Sequence, residues 1–125
     1  MKKQILLYNI KDKKRTLDIR RVLMPLKIRI KQVPETDFCH PIGYLADIEE
    51  FEPCSDTSDE YSFNEEMMIM VGLTSFEIDQ VIKGFHKRKI ASIPLKAILT
   101  PENQKWNSKK LSEHLQEEHK KMQSN

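Results

Sequence analysis

The chain has 125 residues, 38% of them apolar and 32% charged, with a formal net charge of +2. That is enough for one domain with one core, and the composition is that of a folded protein rather than a disordered or fibrous one. No apolar stretch approaches the roughly 20 residues a membrane-spanning helix needs, so membrane partners are not expected.

The N-terminal Lys2-Lys3 followed by Ile5-Leu6-Leu7 has the basic-then-apolar order of a secretory signal. Its apolar run is short, however, and the basic stretch from Lys11 to Arg15 follows in place of a small-residue cleavage site, so a cytoplasmic protein is expected. Gln4 to Ile10 reads instead as a first strand buried on both faces. From Lys13 to Leu26, Leu17, Ile19, Val22, Leu23 and Leu26 recur at helical spacing among basic residues, and Pro25 marks the helix end. Ile28 to Val33 alternates apolar and polar residues as a half-exposed strand does, and Pro34 closes it. Pro41 suits the first turn of a helix running to Phe51.

Residues 52 to 64 have no period and read as an acidic loop. Met67 to Val71 is the clearest central strand. Gly72 follows it, then Thr74 or Ser75 as N-cap, with Glu77 early in a helix whose apolar face is Phe76, Ile78, Val81, Ile82 and Phe85. Ile93 to Leu99 is a fourth strand. After Thr100-Pro101 a last helix starts near Asn107 or Ser108, carries Leu111 and Leu115, and ends in a polar tail over 120–125.

The order of elements repeats. Ile5 to Ile10 sets against Met68 to Leu73, each followed by a helix and a strand. Then come a Pro-Glu pair (Pro34-Glu35; Pro101-Glu102), an aromatic (Phe38; Trp106) and a leucine-bearing helix. The expectation is a single domain, 1–125, of two pseudo-repeats, 4–51 and 66–120. Each is a βαβ unit plus a helix, and neither alone covers its strands. Two such units in series predict an α/β protein (an α+β sandwich) with a ferredoxin-like four-stranded sheet, helices on one face and extra helices as embellishments. A parallel α/β sheet is the alternative.

Charge is strongly segregated. Between Gln32 and Ile82 there is no lysine or arginine and there are thirteen acids, and the three blocks 1–31, 32–82 and 83–125 carry +9, −13 and +6. Blocks of opposite sign attract, within one chain or between chains.

Catalytic apparatus is scarce. There are three glycines, no G-x-S-x-G and no phosphate-binding glycine loop. Cys39-His40 is a poor dyad, since adjacent residues on a strand point to opposite faces. The two cysteines, Cys39 and Cys54, lack metal-ligand spacing, and His114 and His119, five apart, do not share a helix face. No metal and no cofactor is expected.

The run Met68 to Leu73, the helix after it, and Lys96-Ala97-Ile98-Leu99-Thr100-Pro101-Glu102-Asn103-Gln104-Lys105-Trp106 resemble a family of small bacterial proteins, mostly from Gram-positive anaerobes, known only as a domain of unknown function. The shared segment is K-A-x-L-T-P-x-N-x-x-W, and Pro41-Ile42-Gly43-Tyr44-Leu45 is similar to a P-x-G-Y-L segment in the first half of longer members. The resemblance covers roughly 66 to 120 and implies no activity. Two readings of the segment stand side by side. In one, Thr100 and Asn103 are turn chemistry and Trp106 folds over the sheet to fix the last helix. In the other, Lys96, Thr100, Asn103 and Trp106 line a small cleft at a strand end that takes an anionic ligand or a peptide. A non-catalytic interaction or regulatory module is the leading expectation, with a homodimer or a protein partner. The alternatives are a nucleic-acid-binding protein whose basic face is shielded by the acidic loop, and a binder of small anions.

Overall fold

The computed structural model describes residues 2–55 and 59–123. Asp56 to Ser58, in the expected acidic loop, and Ser124-Asn125, in the expected tail, lie outside the described residues. Four strands, β1 (Gln4–Tyr8), β2 (Arg29–Gln32), β3 (Met67–Val71) and β4 (Leu95–Ile98), form one sheet with the order β2-β1-β3-β4. Four α-helices accompany them: α1 (Lys13–Leu23), α2 (Ile42–Leu45), α3 (Ser75–Lys87) and α4 (Ser108–Gln123).

β1 and β3 are buried along their whole length, as their unbroken apolar runs require. They pair antiparallel at the centre, with Leu6 opposite Ile69. Each then pairs in parallel with the strand that follows it across a helix, β1 with β2 and β3 with β4. The mixed α/β class with a four-stranded sheet therefore stands, and the strand order corrects the ferredoxin-like detail. In the split arrangement a strand of the other half separates the two strands of each βαβ unit. Here each unit keeps its own strands adjacent, β2 beside β1 and β4 beside β3; both orders put β1 and β3 at the centre, so the apolar runs alone do not distinguish them. The antiparallel central pair likewise sets the sheet apart from the all-parallel alternative.

The helices cover both faces rather than one. Ile5, Leu7, Met68 and Met70 point to α1 and α3, where Ile19, Val22, Leu23, Val81 and Phe85 complete a core. Leu6, Tyr8, Ile69 and Val71 point the other way, to Phe38, Ile42, Leu45 and Leu111 around α2 and α4. A central strand apolar on both sides demands such cover.

Asn9 and Gly72 leave β1 and β3 with left-handed φ of 61° and 71°, and Lys27 and Lys89 follow α1 and α3, each at 58°. Asp12 accepts from the Arg15 amide at 3.0 Å to cap α1, while Thr74 and Glu77 close a reciprocal capping box on α3. Lys3 lies 2.6 Å from Glu77 and, with the Thr74 amide, holds its carboxyl below the usual carboxylate range. The segments after β2 and β4 meet at an antiparallel bridge between Pro41 and Asn107.

Three elements are shorter than their apolar pattern suggests, each for a local reason. β1 stops at Tyr8 because Asn9 turns left-handed. α2 ends at Leu45 instead of reaching Phe51, since Asp47 adopts φ 62° and Ile48 N–H bonds back to Gly43 O. β4 begins at Leu95, after Pro94, which has no N–H to give.

Candidate functional site

β4 is an edge strand, and its pairing to β3 decides what it offers. Leu95 N–H bonds to Glu66 O and Leu99 N–H to Met70 O, so Leu95, Ala97 and Leu99 direct their backbone groups inward. Lys96 and Ile98 direct theirs to the open side. The side chains alternate as well. Lys96 and Ile98 stand on the α1/α3 face, opposite Met68 and Met70, while Ala97 packs toward α4.

A groove of about 460 Å³ wraps this edge. Met70, Ile82 and Ile98 form its wall on one face, and Trp106, Leu111 and Leu115 its wall on the other. Ile98 is 50% exposed and Ile82 41%, so two large apolar side chains stand in solvent beside the open strand. Lys96 lies toward the start of β4 and Glu102 beyond its end.

All four residues singled out from the sequence line this groove, in different ways. Asn103 is nearly buried and its side chain is committed locally. Its Oδ1 accepts from Thr100 N–H at 2.9 Å, its own N–H donates to Thr100 Oγ1 at 3.0 Å, and its Nδ2 donates to Ile98 O at 3.0 Å. That last bond covers one carbonyl of the open edge. Trp106 rests against the α2/α4 core, edge-on to His114 with ring centroids 5.2 Å apart, and Lys110 Nζ lies 4.8 Å from its ring centre. Lys96 is exposed, its ammonium donating to Ser92 Oγ at 2.7 Å on the α3 side. Lys96 and Trp106 are therefore separated by the thickness of β4 and do not converge on one point.

Ile82 and Ile98 are the groove residues that pattern reading missed. Both belong to apolar runs that read as core. The available signal was the excess width of the α3 stripe: of its five apolar residues only Val81 and Phe85 are buried.

Residues 66–122 match the model of a domain of unknown function, DUF3783. The match takes in β3, α3, β4 and α4, and with them every residue lining the groove. The DUF3783 segment is thus one half of the sheet. Its first strand pairs with β1, which lies outside the matched residues. Neither the curated proteins nor the solved structures contain a match to the chain.

Two further clusters lie away from the groove. Cys39 and His40 sit in a turn, not on a strand, and Cys39 Sγ comes within 3.8 Å of His40 Nδ1. The same nitrogen accepts the Cys54 amide at 2.9 Å, and Nε2 is 3.6 Å from Asp37 Oδ1. Accepting that amide occupies the Nδ1 lone pair that a base would need to take a thiol proton. Tyr8, fully buried, accepts a bond from Ser108 Oγ at 2.8 Å. Burial raises its phenol pKa far above the ordinary range, with the Ser108 bond pulling the other way. That contact ties α4 to the central strand. Among the described residues no cluster of three or more His, Cys, Asp or Glu could hold a metal ion, and no helix is long and apolar enough to cross a membrane.

Proposed function

We propose that the chain is a non-catalytic interaction module whose working surface is the open edge of β4, and that the occupant of that edge is a second copy of the chain. The observation that carries this reading is the pair of exposed isoleucines, Ile98 and Ile82, flanking unpaired strand backbone. Opposite charges at the two ends of β4, Lys96 and Glu102, favour antiparallel self-pairing: each lysine then approaches the glutamate-bearing turn of the other copy. A register centred on Ala97 sets Lys96 across from Ile98 of the second copy and uses the outward groups of both residues. It brings two small alanines together where the strands run closest. The Ile98 carbonyl keeps a second lone pair beside its Asn103 bond.

The halves of the chain, read as two copies of one βαβ-plus-helix unit, already use this solution once. β1 and β3 join them through an antiparallel pair. Repeating the operation at β4 gives a continuous sheet across a two-fold axis.

Sedimentation velocity at low and high salt tests the reading. The expected result is a dimer that persists in salt, because apolar contact and backbone bonds hold it, and that Ile98→Lys converts to a monomer. A wild-type monomer under both conditions contradicts it.

A further inference from the structure

The α1/α3 layer bears a second surface, distinct from the β4 groove. Residues 11–27 and 75–89 hold eleven basic and four acidic residues. Two of those acids, Asp18 and Asp79, pair within their own helices with Arg21 and Lys83, and Glu77 is taken by Lys3. Exposed Lys13, Lys14, Arg20, Lys87, Arg88 and Lys89 have no carboxylate partner among the described residues.

These cations are organised by the helix packing. Gly84 lets α3 approach α1 closely, since a Cβ there would stand 2.5 Å from Val22 Cγ1. The resulting groove, about 350 Å³, is lined by Arg21, Lys83, Lys87 and Arg88 around Pro25 and Leu26. A second of similar size on the other flank of α1 has Lys11, Lys13 and Arg20 around Leu17. Neither lining includes an aromatic ring.

Among the described residues, the acidic stretch from Gln32 to Glu66 gives neither groove a carboxylate. Phe38, Ile42, Leu45 and Phe63 anchor it to the opposite side of the sheet. It reaches round at Glu66, which holds Arg15 through two bonds of 2.7 and 2.8 Å. Arg29 and Lys31 meet Asp47 at the β2 edge. The described part of the acidic segment thus neutralises the rim and contributes no carboxylate to the lining of the α1/α3 grooves.

We infer that the α1/α3 face binds the phosphate backbone of nucleic acid without reading bases. Unpaired surface cations release condensed counterions when they meet a phosphate chain, and that release supplies affinity independent of sequence. Base-specific recognition of single strands uses aromatic stacking, which these groove linings do not provide. The spread of charge over two adjacent helices, around grooves whose floors are apolar, suits an extended polyanion better than a small anion.

The test is fluorescence anisotropy of labelled DNA and RNA duplexes of about 20 base pairs with the full chain, titrated across salt. Binding is expected to both, with log K falling linearly in log salt at a slope of roughly −3 to −5 for about four or five phosphate contacts. The double change Lys87→Glu with Arg88→Glu should cost at least about tenfold in affinity and flatten the slope by about 2. A control of equal charge change on the other layer, Lys105→Glu with Lys120→Glu, should lose less than about twofold beyond the general electrostatic effect. Three results overturn the inference: no binding at about 50 mM salt, equal losses in both doubles, or binding to phosphatidylserine vesicles with none to duplexes. The last would assign the face to a membrane surface.

Discussion

Asn9 shows how much of this fold hangs on single polar side chains. Its φ of 61° ends β1, and its Nδ2 donates to Phe63 O and Glu65 O, both at 2.9 Å, holding the acidic segment against the central strand. Asn tolerates the left-handed region better than other non-glycine residues, and its short amide reaches where a backbone bond cannot. Asn9→Ala should therefore destabilise the protein by roughly 2–4 kcal/mol, from two lost bonds and the strained backbone. Asn9→Gly, which keeps the conformation and loses only the bonds, should cost less. Urea unfolding of the two variants measures the split, and equal losses would mean that the backbone conformation contributes nothing. The Thr100–Asn103 pair is legible in the sequence, because asparagine and threonine three apart around a proline are turn chemistry. The bond from Asn103 to the Ile98 carbonyl is not, since it depends on which strand ends beside the turn.

At the scale of elements, what could be read was local and what could not was relational. β1 and β3 announced themselves as unbroken apolar runs, and α1 and α3 as amphipathic stretches, α3 with candidate capping residues at its start. Asp47 illustrates the opposite case. Nothing in the apolar pattern of Ile42 to Phe51 marks the left-handed turn that follows α2, which accompanies the return of the Phe51 ring onto Gly43, a contact between residues eight apart. Gly84 is similar: mid-helix it looks like a weakness, but it permits the close crossing of α1 and α3. Gly84→Ala gains helix propensity and inserts a methyl against Val22, and the clash outweighs the gain. The expected outcome is a loss of about 1–3 kcal/mol in thermal or chemical unfolding. Val22→Ala in the same background should recover part of it by vacating the space. A neutral or stabilised Gly84→Ala would show that the two helices are free to separate.

At the scale of the whole molecule, two arrangements follow from the order β2-β1-β3-β4. The first is an electrostatic division: cations on the α1/α3 face and carboxylates on the α2 face, with Arg15–Glu66 and Lys3–Glu77 as ties between blocks. Segregation along the chain was plain in the sequence. Its conversion into two faces was not, because that depends on which side of the sheet each connection crosses. The second arrangement is the contrast between the sheet edges. β2 carries Arg29 and Lys31, both near Asp47, and Lys31 also donates to Leu45 O at 2.7 Å. Such charge and side-chain cover discourages pairing. β4 carries Ile98 and one lysine. Strand order alone makes Ile98 an edge residue, so its exposure could not be anticipated from an apolar run that reads as core.

Amide hydrogen exchange at Lys96 and Ile98, followed as a function of protein concentration, tests the β4 interface most directly. These two N–H groups face away from β3, so in a monomer they exchange at the rate of open strand backbone. Self-pairing protects both as concentration rises through the dimer dissociation constant, while the amides of Leu95 and Leu99, already bonded to Glu66 O and Met70 O, keep their rates. Fast, concentration-independent exchange at Lys96 and Ile98 in a sample that sediments as a dimer would place the interface elsewhere and contradict the account.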